Sequence, residues 1–427
     1  MTYSLQTFVY SATLTSAQMN QIETNIRDHR HGYAGVVVGS GTGNTAYGSD
    51  ALLALSTGTE NTALGDDALK SCTTGAQNTA LGAAALDALT TANYTVAVGW
   101  NALGALTTGP YNTAVGYSAL ALNATGQKNC AIGFNALLNS TLHSNTGVGY
   151  QALTSATSAL ANTALGQDAI GALQTGEYNI GIGYNALGGG TSVQRSTAIG
   201  AYALDAVLSG GENTAVGYDA LGLATTGANN CAVGAYALND ATTPSYNTGV
   251  GYAAGGAITT GGYNTLIGGF AGNTLTTGSN DTLIGYNAQP SAVGVSNEIT
   301  LGNASITTLR CAVTTITALS DERDKTDIED IPLGISFIQK LRPVRFTWNM
   351  RDGSKVGVHD SGFIAQDLQR AQQGANAAWL GLVLDTNPKR LEASPGKLLP
   401  ILVKALQEQQ EQIERLQAAL ERAGIAV

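Results

Sequence analysis

The sequence predicts a mainly β protein in which a β-solenoid rod of 17-residue repeats precedes a small α+β domain that ends in a coiled coil. Three observations predict this fold class. A short motif recurs at a nearly constant interval, charged residues are scarce until late in the chain, and a heptad pattern occupies the C-terminus. The predicted units are an N-terminal segment with a short helix at 1–39, the solenoid at 40–302, a linker strand at 303–319 and a C-terminal domain at 320–427.

The repeat is recognised by its glycine, as in NTAVGYSAL at 112–120 and NTAVGYDAL at 213–221. This glycine occurs sixteen times, and fourteen of the fifteen intervals are 17 residues long, with one of 16. A helix is excluded because Gly and Thr recur within the unit and no apolar stripe with helical spacing persists. One unit cannot bury its own apolar face, whereas stacked units can, so the repeat predicts one solenoid coil per unit.

Two positions of each predicted strand share one face. The residue before the glycine is nearly always Val, Ile or Leu, as at Val216, and the residue two positions earlier is small or β-branched, as at Thr113 and Cys130. We expect both positions to point into the coil, because β-branched side chains suit a packed sheet surface. Cys130 and Cys231 then act as small hydrophobes, and no disulfide framework is expected.

Aromatic residues in the later repeats alternate between the first and the second position after the glycine, as at Tyr184, Tyr202, Tyr218 and Tyr236. Two interpretations stay open. The rings either pack at a corner of the coil or between subunits, or they form an exposed ladder on which receptor sugars stack.

Charge is distributed unevenly along the 427 residues. Residues 1–319 carry 15 acids and 6 bases, whereas residues 320–427 carry 15 acids and 14 bases. Without basic clusters, a nucleic-acid partner is not expected, because neutralising phosphates requires Lys and Arg. No run reaches 18 apolar residues, so membrane insertion is not expected either. The first residues lack the pattern of a signal peptide, and synthesis in a cytoplasm is therefore expected.

The heptad pattern lies near the C-terminus, where apolar residues alternate in spacings of three and four with one polar interruption at Gln409. These residues are Leu399, Leu402, Leu406, Gln409, Ile413, Leu416 and Leu420. They predict a coiled-coil helix at about 398–423.

The repeats over about 40–302 resemble the head repeats of trimeric autotransporter adhesins, which form a left-handed β-roll in a parallel trimer. Four blocks closely resemble, in the family's order, the endosialidase-type intramolecular chaperone domain that ends many phage tail fibres and tailspikes. They are SDERDKTDI from 320, LRPVRFTW from 341, GFIAQDL from 362 and LLPILVKALQEQQEQIERL from 398. The resemblance implies a homotrimer, assisted folding of the shaft and autocatalytic release of the domain. It maps the family's Ser-Asp and Lys onto Ser320, Asp321 and Lys325.

The chemistry of these residues agrees with that implication. A serine hydroxyl becomes a nucleophile when a base takes its proton, and a lysine can do so where burial or neighbouring cations disfavour its ammonium form. We therefore predict a Ser320–Lys325 dyad and a cut at a bond that touches Ser320. Attack on the Leu319 carbonyl passes through a five-membered ring, whereas the resemblance slightly favours the Ser320–Asp321 bond.

The N-terminal segment begins with a helix-capping signal and resembles the attachment segments of phage tail proteins. It contains His29 and His31. In a trimer, six imidazoles around one axis could hold a transition metal, although a solvated polar turn explains the same residues. The metal assignment is left open, and no cofactor is expected.

The predicted function is that of a homotrimeric phage tail fibre or receptor-binding shaft, located in the virion. It would bind the tail or baseplate through its N-terminus and a host cell-surface glycan or protein along its length, with no external substrate. One alternative is a glycan-depolymerising tailspike, which needs paired carboxylates. We expect the adjacent Asp66 and Asp67 to fall on opposite faces of a strand. The other alternative is a bacterial surface adhesin.

Overall fold

The computed structural model describes residues 41–306, 308–310, 320–351 and 355–424. The predictions for the N-terminal helix, for His29 and His31 and for most of the linker strand lie outside these residues.

The rod is a stack of coils, each contributing one three-residue strand to a sixteen-stranded parallel sheet. Two further strands, β10 and β12, pair with each other in a second small sheet. The rod strands are β1 Thr45–Tyr47, β2 Thr62–Leu64, β3 Thr79–Leu81, β4 Val96–Val98, β5 Thr113–Val115, β6 Cys130–Ile132, β7 Thr146–Val148, β8 Thr163–Leu165, β9 Ile180–Ile182, β10 Ser192–Gln194, β11 Thr197–Ile199, β12 Ser209–Gly211, β13 Thr214–Val216, β14 Cys231–Val233, β15 Thr248–Val250, β16 Thr265–Ile267, β17 Thr282–Ile284 and β18 Ile299–Leu301.

Every strand pairs with its equivalent in the next coil. Thr113 lies opposite Cys130, and across the 16-residue interval Cys130 still lies opposite Thr146. The missing residue is absorbed in the turns between β6 and β7, so the sheet keeps its register. The predicted β-solenoid with one coil per repeat is confirmed.

The predicted inward face of the strands is wrong. In all rod strands except β12 and β18 the middle residue is buried, as at Ala215, while Thr214 and Val216 on either side are half-exposed. The interior is filled by the Ala-Leu pairs that follow most of the repeat glycines, such as Ala119 and Leu120, which are fully buried. The coil is too narrow for larger side chains at both places: a Cβ added at Gly181, in the middle of β9, would lie 2.5 Å from Ile170 Cγ1.

A buried column of asparagines holds successive coils together. The backbone N–H of Asn230 donates to Asn213 Oδ1 at 3.0 Å, and Asn230 Nδ2 donates to the Pro244 carbonyl at 2.8 Å. The same pattern recurs along the rod, as at Asn247 with Asn230 and Gly261. We call this column the amide ladder. It satisfies backbone groups that the turns would otherwise leave unpaired inside the rod.

The way in which the aromatic rings pack depends on their positions in the repeat. Where they occupy the same position in successive coils, as at Trp100, Tyr117, Phe134 and Tyr150, they stack face to face with centroids 4.7 to 5.3 Å apart. Where the position alternates, from Tyr184 to Tyr286, they pack edge to face.

The C-terminal part is a small α+β unit. Its elements are helix α1 Ile335–Ile338, the antiparallel hairpin β19 Pro343–Asn349 and β20 Val356–Phe363, helix α2 Ala365–Gly374, the short pair β21 Val383–Leu384 and β22 Glu392–Ala393, and helix α3 Leu399–Arg422. Its core contains Phe337, Leu368, Leu382, Leu398 and Ile401.

The two faces of helix α3 have different surroundings. Ile401 and Ala405 are buried in the core of the C-terminal unit, whereas the apolar heptad residues, such as Leu406 and Leu416, are exposed. None of the described helices is both long and apolar enough to span a bilayer.

Asp66 and Asp67 lie in the turn after β2, with Asp67 at φ 57°, so the prediction that they sit on a strand is wrong.

Candidate functional site

The candidate site begins with a short turn at the first residues of the C-terminal unit. Asp321 caps a 3-10 turn over Glu322–Asp324, and its Oδ1 accepts a hydrogen bond from the Arg323 backbone N–H at 2.9 Å. The Arg323 guanidinium also binds both oxygens of this carboxylate, at 3.0 and 2.6 Å. These contacts lower the pKa of Asp321, so the Asp321 carboxylate that caps the turn stays ionised.

The turn brings Lys325 back to Ser320. Lys325 Nζ lies 2.7 Å from Ser320 Oγ and 3.4 Å from the Ser320 carbonyl oxygen. This is the pairing that a Ser-Lys dyad requires, since the amine is within reach of the hydroxyl proton. The catalytic roles of the two residues stay predictions.

The contact between Lys325 Nζ and the Ser320 carbonyl oxygen concerns the choice of the scissile bond. The Ser320 carbonyl belongs to the Ser320–Asp321 peptide, and an ammonium near its oxygen would polarise it. Leu319, on the other candidate bond, lies outside the described residues. Ser320 Oγ cannot reach its own carbonyl carbon without a four-membered ring, so a cut after Ser320 needs a water or the serine of another copy.

A comparison with protein families matches residues 320–376 to the family described as chaperone of endosialidase. The C-terminal unit of this protein contains a chaperone-of-endosialidase domain at residues 320–376. The match includes Ser320, Asp321 and Lys325 together with the β19–β20 hairpin, and it ends before helix α3. No curated protein and no solved structure matches the chain.

Both dyad residues of the chaperone domain are exposed in the single chain. Water stabilises the charged form of an amine, and a lysine serves as a base only when it is neutral. Within the part of the chain that the structure describes, the site has no protein surroundings that would exclude water. Further protein, such as another copy of the chain, would have to cover it.

Glu408 links the long helix to the chaperone domain, and the sequence analysis missed it. Its Oε2 accepts a hydrogen bond from the Ile335 backbone N–H at 2.8 Å, at the start of helix α1. The preceding Gly334 leaves room for this carboxylate, which a Cβ there would strike. A glycine next to a helix start was the available signal, but its partner lies 73 residues away along the chain.

Among the described residues, no group of three or more His, Cys, Asp and Glu side chains is arranged to hold a metal ion.

Proposed function

We propose that this chain is the subunit of a homotrimeric phage tail fibre or fibre-like receptor-binding shaft. Its chaperone domain directs trimerisation and folding and is then released by Ser320–Lys325 self-cleavage. The contact between Lys325 Nζ and Ser320 Oγ, at the first residue of the chaperone domain, carries the proposal. In the virion, the N-terminus would bind the tail or baseplate, and the shaft would bind a host cell-surface glycan or protein.

The repetitive rod explains why a chaperone is useful. Each strand presents nearly the same three residues to its neighbours, so a slip by one coil exchanges equivalent partners at little cost. Each coil also holds non-glycine residues in the left-handed region, such as Asp67 at φ 57° and Leu69 at φ 52°. Such conformations cost of order 1 kcal/mol each and are stable only when their surroundings are complete. A nucleus that sets the register once would overcome both obstacles.

Self-association is supported by two unpaired apolar surfaces. The outward strand positions carry no charged residue over sixteen strands, and many of their apolar side chains are exposed, as at Leu165 and Ile284. We call this surface the outer sheet face. The second surface is the heptad seam of helix α3, at Leu406, Ile413 and Leu416. Continuous exposed apolar surfaces mark interaction sites.

The occupant that fits both surfaces is another copy of the same chain. In a parallel assembly, identical coils stand at the same height, so the apolar positions of one copy meet those of the next along the whole rod. A coiled coil through the heptad seam would impose that parallel alignment from the C-terminal end.

The aromatic columns that stack face to face fit lateral packing better than sugar binding. Rings that stack face to face cover each other and present mainly their edges to solvent, as along Trp100, Tyr117 and Phe134. A sugar stacks on a ring face, which these columns leave free only at their ends.

Self-cleavage follows ordinary acyl transfer. Neutral Lys325 takes the Ser320 hydroxyl proton, and Oγ attacks the Leu319 carbonyl carbon. The peptide C–N bond then breaks, the Ser320 nitrogen receives a proton as an amine, and water hydrolyses the resulting ester. For the Ser320–Asp321 bond, the same base activates a water or the serine of a neighbouring copy.

Mass spectrometry of the expressed full-length protein tests the proposal. We expect a shaft fragment that ends at residue 319 or 320 together with a released chaperone domain, and an uncut chain of 43.5 kDa for Ser320→Ala. A wild-type protein that stays uncut after assembly, or a cut remote from Ser320, would contradict it.

A further inference from the structure

The amide ladder changes chemistry at its C-terminal end. Asparagine occupies the ladder position in most coils up to Asn264, with Thr95 and Ser196 as the exceptions, whereas the next two coils carry Asp281 and Glu298. Asp281 is completely buried. It is a buried titratable residue that the proposed self-cleavage does not use.

Asp281 keeps two of the three ladder hydrogen bonds. Its backbone N–H donates to Asn264 Oδ1 at 2.9 Å, and its Oδ1 accepts from the Glu298 backbone N–H at 2.8 Å. Its second oxygen, Oδ2, is buried without a hydrogen-bond partner.

The third bond is the one that an asparagine makes with Nδ2. Asn247 and Asn264 each donate from Nδ2, at 2.9 Å, to the carbonyl fourteen residues further on. For Asp281 the equivalent acceptor is the Val295 carbonyl, and a carboxylate has no proton to donate to it.

The surroundings of Asn230 and Asp281 show that Asp281 Oδ2 occupies the place of the amide nitrogen. A Cβ added at Gly227 would collide with the Pro244 carbonyl oxygen and lie 3.2 Å from Asn230 Nδ2. A Cβ added at Gly278 would likewise collide with the Val295 carbonyl oxygen and lie 2.7 Å from Asp281 Oδ2. Two acceptor oxygens thus face the same small space inside the rod, an arrangement that is costly unless a proton lies between them.

We propose that Asp281 is a neutral carboxylic acid in the folded shaft and that its Oδ2–H donates to the Val295 carbonyl. The last coils of the rod are then held together by a proton that rising pH removes.

The groups packed against Asp281 favour its neutral form. Asn264 from the preceding coil is uncharged. The Glu298 carboxylate from the following coil accepts hydrogen bonds from the Ser291 N–H at 2.9 Å, from Ser291 Oγ at 2.5 Å and from Thr300 Oγ1 at 2.9 Å. Burial raises the pKa of Asp281 above its ordinary value, and the Glu298 carboxylate adds to the rise, whereas the Glu298 N–H opposes it.

The sign of the pH dependence follows. The folded rod binds this proton more tightly than the unfolded chain does, so the stabilisation is complete below the ordinary pKa of an aspartic acid. It is lost as pH rises through the folded value. The same coils contact the C-terminal unit that contains the chaperone domain, because Ser291 Oγ lies 3.2 Å from Thr386 Oγ1. Loss of the proton would therefore loosen the end of the shaft from which that domain is released.

Hydrogen exchange of the full-length protein tests the proposal, with peptides over residues 278–301 followed by mass spectrometry from about pH 5 to about pH 8 and corrected for intrinsic rates. Wild-type protection should fall with pH by up to about tenfold per unit. Asp281→Asn, which restores the amide donor, should give higher protection at neutral pH and remove this dependence. The exposed Asp240→Asn should behave as wild type.

Two further measurements separate a proton from other causes. Asn247→Asp should transfer a similar pH dependence to its own coil. The infrared carbonyl band of a protonated carboxylic acid should be present in the wild type and missing in Asp281→Asn. The proposal is overturned if Asp281→Asn keeps the wild-type pH slope or loses protection at neutral pH. It is also overturned if a chelator reproduces the effect in the wild type, since a bound cation would then replace the proton.

Discussion

Leu266 fills the space that Gly255 leaves. A Cβ added at Gly255 would lie 2.5 Å from Leu266 Cδ1. Most coils have leucine at the position of Gly255 and alanine or glycine in the middle of the strand, whereas here the large and the small residue have exchanged places. The leucine position and the middle position of the strand therefore share one space of nearly constant volume inside each coil.

This exchange predicts a rescue. Gly255→Leu should overpack the coil and cost ~1–3 kcal/mol, and Leu266→Ala should leave a cavity and cost ~2–5 kcal/mol. Together they rebuild the ordinary coil, so the double variant should recover most of the loss in thermal unfolding. Gly255 has φ 64°, close to the φ 55° of Leu120 in the same repeat position, so the backbone accepts the leucine. Additive losses in the double variant would contradict the shared volume.

The orientation of the strands predicts opposite outcomes for neighbouring residues. Ala215→Asp places a charge inside the coil and should prevent folding of the rod. Val216→Asp places it on the outer sheet face, where the coil survives and association of copies is lost. Circular dichroism measures the first effect, and light scattering after gel filtration measures the second. An associated Val216→Asp protein at wild-type yield would exclude the outer sheet face from the interface.

The dyad predicts separation of folding from cleavage. Ser320→Ala and Lys325→Ala should each assemble but stay uncut at 43.5 kDa, because folding precedes the cut. Cleavage by wild type should slow as pH falls, since protonated Lys325 cannot accept the hydroxyl proton. Time courses on denaturing gels measure both. Normal cleavage of Lys325→Ala would assign the base to another group.

The heptad seam predicts coupling between assembly and cleavage. Leu406→Asn and Ile413→Asn remove exposed apolar residues of helix α3, so assembly and cleavage should be lost together, while Gln410→Ala, off the seam, should leave both unchanged. Sedimentation and mass spectrometry of the same samples give the two readouts. A monomeric Leu406→Asn protein that cuts itself normally would show that the dyad needs no partner.

The contact between helix α3 and the chaperone domain predicts a partial defect. Glu408→Gln keeps the shape of the side chain but weakens its bond to the Ile335 N–H, because hydrogen bonds to charged groups are the stronger ones. The expected result is normal assembly with slower cleavage. Glu411→Gln, further along the same helix, serves as the control. Equal cleavage rates for the two variants would limit Glu408 to a structural role.

The solenoid, its 17-residue coil and the strand in each repeat follow from the amino-acid sequence alone, because identical units stack only in register and a fixed interval makes that register visible. The sequence also predicted the pairing of Ser320 with Lys325, since a turn of five residues is local and a family pattern marks it. Which strand face is buried depends on packing within the folded coil. Both faces carry small or branched residues, and only the narrow interior, already filled by side chains such as Leu120, excludes all but the smallest in most coils. The pairing of Glu408 with Ile335 and the burial of Asp281 also depend on the folded structure. Both involve residues that are not close together in the sequence, so no local pattern predicts them.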